Sequence, residues 1–115
     1  MLNLIDYSKT YEINLPKDPS VVFVLRHWTN GFQDQVDKAC LMVIEGGKYS
    51  YDIAKEREMK IDLSIVDWRG IVFNDEPVPC NSENKKLLPV GVVAWLQREI
   101  EERAGLRITQ EEKKN

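Results

Sequence analysis

Apolar and polar positions along this chain change period several times, and each change marks an element. Thr10 to Leu15 reads Thr-Tyr-Glu-Ile-Asn-Leu, with Tyr11, Ile13 and Leu15 on one face and Glu12 and Asn14 on the other. That period of two predicts a half-buried strand. Pro16-Lys17-Asp18-Pro19 breaks the run, and the β-branched and aromatic stretch Val21 to Trp28 follows. Two strands joined by a short Pro/Asp loop predict a β-hairpin, which is marginal in water unless it packs on something else.

A helix comes next. Thr29 and Asn30 are good N-cap residues, and Asn30 with Gln33 resembles a capping box. Phe32, Val36, Ala39, Cys40 and Val43 fall on one helical stripe, and Gly46-Gly47 is read as its terminator. Ile53 to Trp68 satisfies two patterns at once. Met59, Ile61, Leu63 and Ile65 alternate with polar residues as a strand would. On a helix, Ala54, Ile61, Ile65 and Trp68 share one face while Met59, Leu63 and Val66 lie opposite. The lead-in Ala-Lys-Glu-Arg-Glu-Met-Lys favours helix, and helix is the reading adopted.

Gly70 to Cys80 reads as a linker. Ser82 is expected to cap a short helix through Leu88, and Pro89 suits the first turn of a last helix ending at Gly105. Val93, Leu96, Ile100 and Ala104 form the core stripe of that helix, with Trp95 well off it. The fold class expected is α+β: an N-terminal β-hairpin packed against three to four α-helices in a single compact domain. That domain spans residues 1–107, and 108–115 form a polar, flexible tail.

Composition narrows the function. The 115 residues are 43% hydrophobic and 30% charged, with sixteen basic against nineteen acidic residues and a net charge of −3. Basic and acidic residues interleave, whereas nucleic-acid binders gather basic charge on one face. No nucleic-acid partner is therefore expected. Met1 to Lys9 lacks the pattern of a signal peptide, and apolar runs such as Val21 to Leu25 fall far short of a membrane span. The two cysteines, Cys40 and Cys80, build neither a disulfide framework nor a zinc site. A cytoplasmic protein with no membrane partner is the expectation.

Candidate chemistry is thin. His27, at the end of an apolar strand, could serve as a base or metal ligand, but a strand residue near a sheet edge is the plainer reading. Cys40 lies on an apolar stripe, and nothing basic adjoins Cys80 in sequence to activate it. Asp62 and Asp67 could in principle form a carboxylate pair. Phosphate-loop, dinucleotide-binding and nucleophile-elbow motifs are absent. No catalytic residue, metal site or cofactor is expected. Tryptophan is a favoured interface anchor; Trp28 and Trp68 are read as core, whereas Trp95, off the core stripe, fits either a second packing layer or an exposed contact patch with Val92.

Two stretches resemble the tail assembly chaperones encoded among phage and prophage tail genes. One is Phe23-Val-Leu-Arg-His-Trp-Thr-Asn-Gly-Phe-Gln-Asp-Gln. The other runs from Val66-Asp-Trp-Arg-Gly-Ile through Asn-Asp-Glu-Pro-Val-Pro to Ser-Glu-Asn and Leu87-Leu88-Pro89. The Lys-Asn ending is also similar, although the loop lacks the glycine often found there. The resemblance implies a non-enzymatic protein that shields apolar helical segments of the tape-measure protein until tail tube protein displaces it. A small structural virion component, a minor tail or head–tail connector protein, is the alternative. Helical geometry nominates Val92, Trp95 and Glu99 of the last helix, with Met59 and Leu63 of the middle one, as protein-binding candidates. Homo-oligomerisation is left open.

Overall fold

The computed structural model describes residues 1–6 and 8–105; the expected tail at 108–115 lies outside the described residues. The hairpin forms as the alternation predicts. Strand β1 (Thr10–Leu15) runs antiparallel to β2 (Asp18–Arg26), with Ile13 opposite Phe23 and Tyr11 opposite Leu25. On β2, Val21, Phe23 and Leu25 are buried while Val22 and Val24 are half-buried, so one face of the sheet carries the core.

Helix α1 (Asn30–Cys40) is capped by Thr29, whose hydroxyl accepts from the amide of Phe32. The expected capping box does not form. Gln33 instead accepts from the Trp28 indole at 3.0 Å and donates to Asp37 at 2.9 Å. The helix also stops earlier than its stripe suggests. Leu41–Ile44 is strand β3, paired with β4 (Lys48–Tyr51). Gly46 and Gly47, both at positive φ, form the turn between these strands and do not end a helix. Val36 and Cys40 are buried as the stripe predicts, but Val43 sits on β3 and is 72% exposed.

The ambiguous stretch proves to be two elements. Helix α2 (Ile53–Ser64) takes Asp52 as its N-cap, and strand β5 (Ile65–Arg69) follows directly. Met59 to Ser64 is thus helical as expected, whereas Ile65 to Trp68 is not. The cause is tertiary: β2 has a second edge to satisfy, and β5 fills it antiparallel, with Trp68 opposite Phe23, giving the order β1-β2-β5. A ladder of backbone bonds on a central strand outweighs local helix propensity.

The expected linker also contains structure. Strands β6 (Val72–Phe73) and β7 (Glu76–Pro77) form a small hairpin. Its turn residues Asn74 and Asp75 both have positive φ, the conformation that two-residue hairpin turns require and that Asn and Asp tolerate. Helix α3 is a single turn, Ser82–Lys85, capped by Asn81 rather than by Ser82. Helix α4 (Val90–Arg103) starts after Pro89 and closes at Gly105, which has positive φ.

The parts make one α+β domain whose core joins Phe23 and Leu25 of the sheet, Val36 and Cys40 of α1, Ile61 and Ile65, and Leu96 and Ile100 of α4. Burying each large aliphatic or aromatic side chain contributes roughly 1.5–3 kcal/mol. Among the described residues, one charge lies inside. The side chain of Lys60 is 3% exposed and bridges Glu56 at 3.1 Å and Glu101 at 3.6 Å, so α2 and α4 are joined electrostatically as well as by packing. Its ammonium also lies 6.0 Å from the ring centroid of Trp28.

Candidate protein-binding surface

An apolar cleft opens where the end of the three-stranded sheet, the β6–β7 hairpin and the loop from α3 to α4 meet. Its volume is about 560 Å³, and among the described residues Asn84 is the one polar side chain beside apolar and glycine neighbours, with no charged group in the lining. The core residues Val21 and Phe23 reach it from β2 and Val92 from α4. Phe73 and Leu87 belong to its lining and are 69% and 79% exposed. Apolar surface so little covered by its own chain, around a concave site, is a feature of recognition sites.

Local sequence explains how the walls hold their places. The Trp68 indole N–H donates to the carbonyl of Val78 at 2.9 Å, tying the segment after the β6–β7 hairpin to the sheet. Val78 in turn donates its amide to the carbonyl of Ile71 at 3.1 Å. On the far side, α3 is fastened to α2. Ser82 donates to the Asp62 carboxylate at 2.8 Å, and Lys85 donates to the Asp62 carbonyl at 2.9 Å and to its carboxylate at 3.2 Å. Burial disfavours ionisation of Asp62, yet the bonds from Ser82 and Lys85 outweigh it and hold the carboxyl below its ordinary value.

The residues nominated from helical geometry divide among three places. Val92 lines the apolar cleft. Trp95 and Glu99 line a shallow groove of about 340 Å³ beside β1, with Glu12, Asn14 and Arg103. Trp95 is half-buried, its ring 6.2 Å from that of Phe23, so much of it belongs to the core. Met59 and Leu63 are half-buried against the core cluster and line neither site. The cleft residues that sequence reading passed over are Ile71, Val72, Phe73 and Leu87. The signal was there: an apolar triplet inside an otherwise polar linker, and a Leu-Leu pair before a proline.

Groups with reactive potential are placed elsewhere. His27 is half-buried and packs on Tyr11, ring centroids 4.8 Å apart. Burial pushes the Cys40 thiol up, and burial likewise raises that of Cys80 despite Lys85 nearby, so both favour the protonated, unreactive form. Asp62 and Asp67 sit on different elements, one bonded to α3 and the other on the exposed side of β5. Among the described residues, no group of three or more His, Cys, Asp or Glu could hold a metal ion. Among them, too, no helix is long and apolar enough to cross a membrane. Comparison with protein-family models, curated proteins and solved structures finds no match.

Proposed function

We propose that this chain is a non-enzymatic tail assembly protein of a phage or prophage, acting in the bacterial cytoplasm to shield apolar helical segments of the tape-measure protein. The observation that carries the reading is the uncharged cleft bounded by Phe73, Leu87 and Val92. A helix laying apolar residues from successive turns along such a cleft would bury them without leaving a charge unpaired. The identity of the helix comes from the resemblance to tail assembly chaperones. Release when tail tube protein arrives calls for an interface of modest size, and a cleft of this volume accommodates a few side chains at a time. Val92 is the geometric nominee that serves this site. Trp95 and Glu99 would extend the contact only for a partner that also reaches β1.

A structural virion component is the second reading, favoured by a different observation: the β3–β4 ribbon leaves Leu41, Met42, Val43, Ile44 and Tyr49 exposed, as a building block of a closed assembly would. Co-expression with the tape-measure protein of the same tail gene module, followed by immunoblotting of purified particles, separates the two. The chaperone reading expects a soluble complex and no chain in mature particles. Stoichiometric presence in particles without a complex overturns it in favour of the virion reading.

A further inference from the structure

Among the described residues, the β3–β4 ribbon is a two-stranded sheet with no third strand against it. Isolated ribbons are marginal in water, and an exposed edge presents unpaired backbone groups to which a further strand can bond. The outer edge of β4 is suited to one partner. The amide of Asp52 donates to the carbonyl of Cys40 at 2.9 Å, which fixes the phase of the ladder. By the alternation of antiparallel pairing, Ser50 and Lys48 then turn their backbone groups inward to β3. Tyr49 and Tyr51 turn theirs to the open edge.

The sequence along that edge, Lys48-Tyr-Ser-Tyr-Asp52, is complementary to itself when reversed. Two copies related by a two-fold axis at Ser50 set Lys48 opposite Asp52, Tyr49 opposite Tyr51, and Ser50 opposite Ser50. Tyr49 and Tyr51, the residues with free edge groups, become the hydrogen-bonded pairs. Opposite charges and paired aromatics are favourable cross-strand neighbours. The outer edge of β3, Leu41 to Ile44, carries no charged residue to select a register.

We propose that this chain dimerises through β4, joining two ribbons into a four-stranded sheet of order β3-β4-β4-β3 around a two-fold axis at Ser50. The contact is remote from the apolar cleft in sequence and does not depend on what the cleft binds. A β-paired dimer is also the simplest closed assembly that an isologous edge allows.

Light scattering coupled to size exclusion tests it. The full chain is expected at twice its 13.4 kDa mass. Tyr49→Pro removes an edge donor without touching the inner ladder and is expected to lose the dimer while circular dichroism stays unchanged. Lys48→Glu opposes like charges and is expected to raise the concentration needed for dimerisation roughly tenfold. Ser50→Cys, about 4.5 Å between Cα atoms across the axis, is expected to give a disulfide-linked dimer on mild oxidation, faster than Val43→Cys on β3. A monomer at every concentration, a dimer insensitive to Tyr49→Pro, or equal cross-linking at Ser50→Cys and Val43→Cys overturns the proposal.

Discussion

The Trp68 indole and the carbonyl of Val78 are held 2.9 Å apart, ten residues apart in sequence, and this bond closes one wall of the apolar cleft onto the sheet. Trp68 is itself core: 6% exposed and edge-on to Phe23 at 6.4 Å. One side chain therefore both fills the interior and positions the β6–β7 hairpin. Trp68→Phe keeps most of the packing and removes the donor, leaving the Val78 carbonyl half-buried and unpaired. The expected loss is about 1–2 kcal/mol in chemical denaturation, with weaker capture of a partner in the cleft.

Gly70 makes the sharpest local demand. It has φ +80°, and a Cβ there would come within 2.5 Å of the Ser20 carbonyl oxygen. Backbone atoms cannot swing aside as a flexible side chain can. Gly70→Ala therefore combines left-handed strain with a clash where β5 leaves the sheet. Destabilisation on the order of 3 kcal/mol is expected. Thermal unfolding checks it; by contrast Gly91→Ala, in α4 with nothing near its added methyl, should leave the melting temperature unchanged or raise it.

The lowered carboxyl of Asp62 makes the docking of α3 pH-dependent. A depressed folded value contributes stability that is present above the ordinary aspartate value of about 3.9. That stability is lost as pH falls through the lower folded value. Asp62→Asn removes the contribution. Wild type should melt higher than Asp62→Asn at neutral pH, with the gap closing in strongly acidic buffer. A gap that widens in acid would contradict the assignment.

Much of the fold was legible in the chain. Period-two alternation placed β1 and β2, and proline and glycine bounded α4 at Pro89 and Gly105. The failures share one physical cause: short apolar runs carry no period of their own. Leu41-Met-Val-Ile extends the α1 stripe on paper, and only its pairing with Lys48–Tyr51 across Gly46-Gly47 makes it a strand. Ile65 to Trp68 fits the face of α2 until β2 offers an open edge. Sequence alone cannot weigh a long-range ladder against local propensity. The site was less legible than the fold. Val92 was within reach because α4 is strongly periodic. Phe73 and Leu87 left only a trace, an apolar triplet and a Leu-Leu pair, because the wall they form exists only once β6–β7 and α3 are fastened by Trp68 and Asp62.

The central claim is that the uncharged cleft takes an apolar helix of the tape-measure protein, and substitution on its exposed rim tests it most directly. Leu87→Asp and Phe73→Asp alter side chains that are 79% and 69% exposed, so the fold should survive, as circular dichroism would verify. Each places a charge against apolar surface that the helix must cover. Affinity capture of co-expressed tape-measure protein by wild type and by the two variants is the measurement. The account predicts a soluble complex with wild type and its loss with both variants. Capture that is equal for all three would contradict it and place the partner surface elsewhere on the molecule.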